Sequence, residues 1–190
     1  MLGKDYWDER YLSGQTGWDI GYVSPPLQAY FDTLTDPNLR ILIPGGGNSY
    51  EADYLLAKGF QNITVVDISE VVCRRLTEKY DGQGVNVVCE DFFQHIGTYD
   101  LIVEQTFFCA LNPELRPAYL QKMRELLAHT GKLAGLLFNR DFVGGPPFGG
   151  SESEYRILFQ EADFEVIIDL TPASIPPRRE SELFFIAAKR

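Results

Sequence analysis

The 190-residue sequence is poor in basic residues. Its 17 lysine and arginine residues are outnumbered by 27 aspartate and glutamate residues, which gives a formal net charge of -10 at pH 7. A chain this acidic is poorly suited to bind the phosphate backbone of a nucleic acid or an anionic membrane surface. We therefore expect a small-molecule partner and no nucleic acid.

Long hydrophobic runs are also lacking. No apolar stretch approaches the roughly 18 residues of a membrane-spanning helix. The first residues, MLGKDYWDERY, carry charges where a signal peptide has its apolar core. These features predict a cytoplasmic protein that does not engage a membrane, and we expect a monomer or a weak homo-oligomer.

Cysteine and histidine are scarce. The three cysteines, Cys73, Cys89 and Cys109, are widely separated and lie among apolar residues, which is typical of small buried side chains rather than disulfides or zinc ligands. The two histidines, His95 and His129, have no catalytic pattern around them. We expect no metal site and no Cys, His and Asp catalytic set.

Apolar strand-like runs alternate with amphipathic helical patterns, without an internal repeat. The length suits a single domain over residues 1–190, and the alternation predicts an α/β fold with a Rossmann-like, seven-stranded, mostly parallel sheet. Helices are expected on both faces. The predicted strands cover residues 40–44, 62–69, 85–93, 99–108, 132–139, 164–170 and 182–189. No crossover helix fits between the final two, so the last strand is expected to be antiparallel.

Helices are predicted between most of these strands, over residues 49–58, 70–80, 113–129 and 151–162. Ser69 is the expected cap of the second helix, and Ser151 with Glu154 forms a capping box for the fourth. Gly59 and Gly131 follow the first and third helices, where a left-handed residue is favoured. The third and fourth strands are rich enough in Val, Ile and Leu to be buried on both faces.

Three consecutive glycines, Gly45, Gly46 and Gly47, join the first strand to a helix that Asn48 or Ser49 caps. Glycines at the carboxyl end of a parallel strand let the backbone come close to a ligand. A nucleotide-like cofactor is the natural occupant of such a site.

Two later strand ends complete this pattern. Asp67 lies twenty residues after Gly47, where a carboxylate accepts hydrogen bonds from ribose hydroxyls, and Ile68 follows it. Asp91 precedes Phe92 and Phe93, an arrangement suited to an adenine amino group with an aromatic ring against the base. Taken in order, these strand ends predict an adenosine-containing cofactor.

The glycine loop distinguishes between adenosine cofactors. A dinucleotide pyrophosphate favours the spacing G-x-G-x-x-G, whose third glycine is missing from PGGGNSYEA. Glu51 and Asp53 in the first helical turns would repel a pyrophosphate, but not a cofactor that carries an ammonium and a sulfonium. This favours S-adenosyl-L-methionine over NAD, and an NAD-linked oxidoreductase is the disfavoured alternative.

Longer motifs carry a family resemblance. They are WDERYLSGQTGWDIG, LIPGGG, VVDIS, EDFF, EQTFFCALNPELRPAYLQKM, VGGPPF and IPPRRES, and together they span nearly the whole chain. The sequence resembles the thiopurine S-methyltransferase family of Class I S-adenosylmethionine-dependent methyltransferases. Within it, the sequence is most similar to the bacterial and plant branch of halide and thiol methyltransferases.

The resemblance implies roles for residues outside the glycine loop. Trp7 and Trp18 resemble family tryptophans that cover the methionine end of the cofactor and its methyl group, so that residues 1–25 form a lid. Gln105 and Phe107 resemble the segment that lines the cofactor after the fourth strand. The implied acceptor pocket combines Trp18 and Phe107 with two later loops, which contribute Phe148 and Arg178.

Three positions depart from the family pattern. Gln105 stands where plant relatives tend to have tyrosine. Ser49 stands where many members have a further glycine. Phe148 lacks the hydroxyl that plant halide-type relatives carry, so the acceptor does not follow from the resemblance.

The expected activity is transfer of a methyl group from S-adenosyl-L-methionine to a small soft nucleophile, with S-adenosyl-L-homocysteine as the product. Sulfur, as hydrosulfide or a thiol, is the favoured acceptor atom. A soft nucleophile of this kind is already deprotonated, or nearly so, when it binds. Direct in-line displacement therefore needs alignment and desolvation rather than a general base. A halide or thiocyanate methyltransferase is the first alternative, and a catalytically silent S-adenosylmethionine-binding protein is another.

Overall fold

The structure is a computed structural model that describes residues 2–171 and 173–190. Its strands are β1 (Ile41–Pro44), β2 (Ile63–Asp67), β3 (Val85–Cys89), β4 (Tyr99–Gln105), β5 (Leu127–Phe138), β6 (Phe164–Leu170) and β7 (Glu182–Lys189). Its α-helices are α1 (Lys4–Leu12), α2 (Pro25–Phe31), α3 (Tyr50–Ala57), α4 (Glu70–Lys79), α5 (Arg116–Leu126) and α6 (Glu152–Glu161). Short 3-10 helices occur at Phe92–Gln94, Phe108–Ala110, Pro113–Leu115 and Pro176–Arg178.

Within the described residues, the strands form a seven-stranded sheet in the order β3-β2-β1-β4-β5-β7-β6. β7 runs antiparallel to both β5 and β6. The predicted α/β fold with an antiparallel last strand is therefore confirmed. The reversed strand lies inside the sheet, with β6 at the edge.

The chain divides into two compact units, one ending at Ile96 and the other spanning Gly97–Arg190. The first unit contains β1, β2 and β3, which pair in parallel from Ile41↔Ile63 and Ile63↔Val85 onward. Every residue of β1 is buried, whereas no residue of β3 is fully buried. The prediction that β3 is buried on both faces is wrong, because β3 is an edge strand of the sheet.

Local sequence signals explain the helices of the first unit. At the end of α3, Gly59 has a φ of +91°. The amides of Gly59 and Phe60 donate to the carbonyls of Leu56 and Leu55, which is a Schellman motif. Ser69 caps α4 and accepts from the Val72 amide at 3.2 Å. Helix α2 was not predicted from the sequence; prolines occupy its first turn, where a missing N–H costs nothing.

The second unit contains β4 to β7 with α5 and α6. β5 pairs with β4 in parallel and with β7 in antiparallel fashion. Buried aromatic side chains pack between the helices and these strands; among them are Tyr119, Phe159 and Phe185. The capping box of α6 is present, since Ser151 Oγ accepts from the Glu154 amide and Glu154 accepts from the Ser151 amide.

The predicted junction between the third helix and the fifth strand is wrong. Helix α5 ends at Leu126 rather than His129, and β5 begins at Leu127 rather than Lys132. Leu127 pairs with Tyr99 and is buried, which draws this segment into the sheet. Gly131 is therefore a strand residue at a register shift, where a Cβ would lie 2.8 Å from the Tyr99 carbonyl oxygen.

The cysteine expectation is correct for two residues and wrong for the third. Cys73 and Cys109 are buried, whereas Cys89 is exposed because it ends the edge strand β3. No helix in the part of the chain that the structure describes is both long and apolar enough to cross a membrane.

Candidate functional site

The glycine loop of the first unit has a left-handed backbone at two positions. Gly45 and Gly47 have φ values of +61° and +52°, in the left-handed region that glycine adopts most easily. A Cβ on Gly46 would lie 2.1 Å from Val65 Cγ1, so Gly46 permits close packing on β2. A Cβ on Gly47 would lie 2.9 Å from the Tyr11 hydroxyl. The loop thus brings bare backbone against both β2 and the N-terminal segment.

Ser49 follows this loop as the N-cap residue of α3, but its side chain does not cap the helix. Ser49 has φ and ψ of 55° and 46°, whereas a capping side chain needs extended backbone. Its Oγ atom is buried and has no hydrogen-bond partner. Asn48 does not cap the helix either, because its side-chain Nδ2 donates to Asp19 Oδ2 at 2.5 Å. An orphaned buried hydroxyl beside a glycine loop fits a site that receives a polar ligand.

Asp67 lies at the carboxyl end of β2 and is 8% exposed. Its Oδ2 atom accepts from the Gly47 amide at 3.1 Å, and its Oδ1 atom accepts from the Ser69 amide at 2.9 Å. Burial raises the pKa of Asp67, and the backbone amides around the carboxylate oppose that shift. These bonds hold the carboxylate in one orientation beside the glycine loop.

Glu51 lies in the first turn of α3 and is buried. Burial raises the pKa of Glu51 to about 7, and the negative charges of Asp53 and Asp19 add to this effect. A buried carboxyl group of this kind favours the arrival of a positive charge, because a cation would offset the cost of ionising it.

Asp91 and Phe92 follow β3. Asp91 is exposed, and its Oδ1 atom accepts from the Phe93 amide at 3.0 Å, so it caps the 3-10 helix Phe92–Gln94. The Phe92 ring is buried, and the half-buried Phe93 ring meets it edge-on at 5.5 Å. Of the two rings, Phe93 is the more exposed.

The two predicted tryptophans belong to one aromatic cluster in the N-terminal segment. Trp7 and Trp18 meet edge-to-face, with ring centroids 5.6 Å apart. Tyr11 lies 5.7 Å from Trp18, and the Trp18 side chain hydrogen-bonds to its hydroxyl. Burial and the nearby charge of Asp67 raise the pKa of Tyr11.

Tyr11 was not predicted as a site residue. Its hydroxyl reaches Gly47 and its pKa responds to Asp67, so it belongs with the glycine loop as much as the tryptophans do. A sequence signal was present, because Tyr11 follows Trp7 by four residues and thus lies on the same face of α1.

In the second unit, Gln105 and Phe107 follow the buried end of β4, and both are half-buried. Between them, Thr106 has a φ of +63°, which ends the strand earlier than predicted. Glu104, which was not predicted, accepts from the amides of Phe107 and Phe108 through Oε2, at 3.1 Å in each case. Its other oxygen, Oε1, is buried without a hydrogen-bond partner.

We expect Glu104 to make stability depend on pH. Burial raises its pKa from an ordinary value of 4.5 to about 7. Between these values the folded chain keeps a proton that the unfolded chain releases, so this residue lowers stability as the pH rises. Glu104→Gln cannot ionise, and we expect it to gain about 2 kcal/mol relative to the wild type between pH 5 and pH 7.

Urea unfolding at the two pH values measures this difference. Glu114→Gln, at an exposed position of the same unit, is the matched control and should show no such gain. A Glu104→Gln effect that is the same at both pH values would mean that Glu104 does not titrate in this range.

Phe148 ends the GGPPF stretch, and its amide donates to the Cys109 carbonyl at 2.7 Å. Its ring lies against Gly145, where a Cβ would be 2.4 Å from the ring carbons. Arg116 donates to the Gly149 carbonyl at 2.7 Å and so holds the end of the same loop. These contacts fix the loop against the segment that follows β4.

Arg178 and Arg179 differ in their surroundings. The Arg178 side chain is 11% exposed, whereas Arg179 is exposed. Arg178 Nη1 lies 3.4 Å from Glu182 Oε1, and its guanidinium lies 5.6 Å from the Phe138 ring centroid. Burial raises the pKa of the Cys109 thiol and the charge of Glu104 adds to that rise, whereas the charge of Arg178 opposes it.

The structure therefore groups the predicted residues within each unit. In the first unit, Asp67 and the glycine loop adjoin the aromatic cluster of the N-terminal segment. In the second unit, the Phe148 amide binds the Cys109 carbonyl, and Arg178 pairs with Glu182. Within residues 2–171 and 173–190, no group of three or more His, Cys, Asp or Glu residues is arranged to hold a metal ion.

Comparisons with known proteins agree with these features. The profile of the thiopurine S-methyltransferase (TPMT) family matches residues 2–175. Probable thiol methyltransferase 2 of Arabidopsis thaliana is 34% identical over 184 residues, which cover 93% of this chain and 81% of the relative. Thiocyanate methyltransferase 1 of the same plant is 32% identical with the same coverage of both chains.

A crystal structure of Burkholderia thailandensis 1,6-didemethyltoxoflavin-N1-methyltransferase has a similar fold. Its TM-score is 0.78 at 20% sequence identity, and the match covers 98% of this chain and 86% of that one. That protein was crystallised with 1,6-didemethyltoxoflavin and S-adenosylhomocysteine bound.

The chain belongs to the thiopurine S-methyltransferase family. The predicted family and the predicted class of S-adenosylmethionine-dependent methyltransferase are confirmed.

Proposed function

We propose that this protein transfers the methyl group of S-adenosyl-L-methionine to a small soft sulfur nucleophile, hydrosulfide or a thiol. The observation that carries the cofactor assignment is the buried Asp67 carboxylate, which the Gly47 and Ser69 amides orient beside the glycine loop. A carboxylate fixed in this way accepts hydrogen bonds from two ribose hydroxyls without reorganising.

The remaining cofactor contacts follow from this placement. The backbone of Gly45, Gly46 and Gly47 lies against the cofactor, and the buried Glu51 carboxylate attracts its ammonium group. The residues that bind the adenosine are Asp67, Ile68, Asp91 and Phe92, and Gln105 completes the site. Burial alone makes ionised Glu51 unfavourable, so a cationic ligand stabilises the site more than a neutral one.

We propose that the chain works as one methyltransferase domain in which residues 1–25 cover the cofactor. Trp7 and Trp18 offer indole faces to the sulfonium, an attraction worth about 0.5 to 2 kcal/mol depending on desolvation. Their edge-to-face contact keeps both rings in one cluster with Tyr11. Excluding water from the sulfonium and the acceptor strengthens their mutual attraction.

Phe107, Phe148 and Arg178 form the acceptor side, together with Trp18 from the lid. Bound S-adenosyl-L-methionine supplies a methyl group on a sulfonium; the acceptor sulfur forms a bond to that carbon as the carbon–sulfonium bond breaks, leaving S-adenosyl-L-homocysteine. Arg178 draws an anionic acceptor in, because a guanidinium has five N–H donors and serves Glu182 and an anion at once. The aromatic rings remove water from a soft anion at little cost.

A halide or thiocyanate methyltransferase is the second candidate. The relative named thiocyanate methyltransferase 1 is 32% identical, and Arg178 suits an inorganic anion as well as a thiolate. The Phe148 ring lacks the hydroxyl that plant halide-type relatives carry, which favours the sulfur acceptor.

The test is S-adenosyl-L-homocysteine formation with hydrosulfide, a small alkyl thiol, an aromatic thiol, thiocyanate and iodide. We expect the highest kcat/KM with hydrosulfide or one of the two thiols. A preference for iodide or thiocyanate would instead support the second candidate. Binding of the cofactor without turnover on any acceptor would argue for a silent cofactor-binding protein.

Phe148→Tyr is the companion variant. A new hydroxyl donor to an anion is worth about 1.5 kcal/mol, so we expect kcat/KM for thiocyanate to rise about 10-fold. An unchanged kcat/KM would remove Phe148 from the acceptor side. Phe142→Tyr, in a ring that packs on Phe138 instead, is the control and should leave kcat/KM unchanged.

We further propose that the protein acts in the cytoplasm, as a monomer or weak homo-oligomer, on a small-molecule acceptor.

A further inference from the structure

Asp8 lies on α1 between the aromatic residues Trp7 and Tyr11, but its side chain faces a different element. Its Oδ1 atom accepts from Ser69 Oγ at 2.6 Å and from the Val71 amide at 3.1 Å. Both donors belong to the N-terminal turn of α4. A carboxylate on the N-terminal segment therefore contributes to capping a helix more than sixty residues away in the sequence.

Lys4 strengthens the same attachment. Its ammonium lies 3.2 Å from Asp8 Oδ2, one turn along α1, and 3.3 Å from Glu70 Oε1 at the start of α4. The Asp8 side chain is 15% exposed, whereas the neighbouring acid Asp5 is fully exposed. Asp8 is thus shielded from water, and the partial positive charge at the start of α4 favours its ionised form.

The turn that Asp8 binds is the turn that orients Asp67. Ser69 donates its hydroxyl to Asp8 and its amide to Asp67 Oδ1 at 2.9 Å. On the same helix as Asp8, the Tyr11 hydroxyl approaches Gly47, whose amide donates to Asp67 Oδ2. One connected set of hydrogen bonds therefore joins the N-terminal segment to both oxygens of the proposed ribose carboxylate.

We infer that Asp8 is a positioning residue: it fastens the N-terminal lid to the start of α4 and so places Trp7, Tyr11 and Trp18 over the cofactor. This inference rests on the proposed binding of S-adenosyl-L-methionine at Asp67. The physical basis is that the first amides of a helix have no partner within the helix. Asp8 on α1 supplies an acceptor for one of them, the Val71 amide.

A second attachment limits the effect of losing Asp8. Asp19 accepts from Asn48 Nδ2 and from the Tyr50 hydroxyl near the start of α3, so it fixes the other end of the aromatic cluster. Removing Asp8 should therefore loosen the lid at one end without releasing it. Affinity for the cofactor should fall, while the reacting groups of fully loaded enzyme stay in place.

The experiment compares Asp8→Ala, Asp8→Asn and the control Asp5→Ala with the wild type. Calorimetry with S-adenosyl-L-homocysteine gives Kd, and turnover gives kcat and KM for S-adenosyl-L-methionine. The sequence has two tryptophans, both in the lid, so intrinsic tryptophan fluorescence reports on this segment alone. Thermal melting shows whether each variant is folded.

For Asp8→Ala we expect Kd and KM to rise about 10-fold, the loss of one charge-assisted attachment, with kcat at saturating cofactor within about two-fold of the wild type. Tryptophan emission of the free protein should shift to longer wavelength. Asp8→Asn keeps an acceptor oxygen for Ser69 and Val71 but loses the charge, so its Kd should lie between that of the wild type and that of Asp8→Ala. Asp5→Ala should match the wild type in every measurement.

An Asp8→Ala protein with the Kd and emission of Asp5→Ala would overturn the positioning role. A loss of kcat with unchanged Kd would overturn it as well. Should Asp8→Ala fail to fold, Asp8→Asn decides by the same criteria, with a rise in Kd of about three-fold or more as support. Failure of the wild type itself to bind S-adenosyl-L-homocysteine would count against the proposed function, which is a different result.

Discussion

Replacing Asp67 with alanine is expected to weaken the binding of S-adenosyl-L-homocysteine by about 1.5 to 3 kcal/mol, or roughly 10- to 150-fold in Kd. The carboxylate is buried and its orientation is set by the Gly47 and Ser69 amides, so ribose hydroxyls would meet a prepared acceptor. Without it, those hydroxyls lose a charged partner in a region with little water. Calorimetric titration measures the change.

Folding and binding can be separated for this residue. Burial raises the pKa of Asp67, so the ionised carboxylate is an unfavourable group in the folded protein and its removal need not lower stability. Asp36→Ala is the matched control, because Asp36 also accepts from a backbone amide two residues on, at 3.0 Å, but is exposed. An Asp67→Ala variant that binds as tightly as Asp36→Ala would refute the cofactor assignment.

Replacing Arg178 with methionine is expected to lower the free energy of unfolding by about 3 kcal/mol or more. Glu182 is 3% exposed, and Arg178 is the cation that faces its Oε1 atom at 3.4 Å. The Ser174 hydroxyl donates to the other oxygen at 2.5 Å. After the substitution Glu182 would keep this neutral donor but lose the cation that compensates its charge. Urea unfolding at pH 7 measures the loss.

A double variant separates this structural effect from the proposed role in acceptor binding. Arg178→Met with Glu182→Gln removes both charges, so we expect stability to return most of the way to the wild type. Its kcat/KM for anionic acceptors should stay at least about 10-fold low, because the cation that attracts the anion is still missing. Arg179→Met, at the exposed neighbour, should affect neither quantity.

If the double variant recovers activity together with stability, Arg178 serves the fold and not the acceptor. If single Arg178→Met is as stable as Arg179→Met, the ion pair with Glu182 contributes nothing to folding. The first result concerns acceptor binding and the second concerns folding stability, so they do not depend on each other.

Patterns that act within a few residues predicted local structure well. Gly59 after α3, Ser69 before α4 and the capping box of Ser151 with Glu154 each satisfy backbone groups of the adjacent helix, so their chemistry can be read without the fold. The order of apolar runs likewise predicted the sheet and its antiparallel last strand.

Errors arose where a distant partner decided the outcome. Leu127 continues the helical pattern of α5, but its pairing with Tyr99 draws it into β5. Ser49 has the right side chain for a cap, but the turn out of the glycine loop gives it a left-handed backbone, and its hydroxyl is left without a partner. Cys89 looks apolar in context and is exposed because β3 is an edge strand.

The same distinction between local patterns and distant contacts applies to the candidate site. The sequence by itself determined the class of cofactor chemistry, because the glycine loop, Asp67 and Asp91 follow successive strands, and parallel strands bring their carboxyl ends to one edge of a sheet. It also determined the family, through motifs that span most of the chain.

Only the tertiary structure decided which residues act together. Tyr11 reaches Gly47, Asp8 helps to cap α4 and Glu104 is left with an unpaired buried oxygen, through packing that no local pattern encodes. The physical reason is that burial and hydrogen bonding depend on distances between segments, whereas the sequence directly displays only the spacing within them.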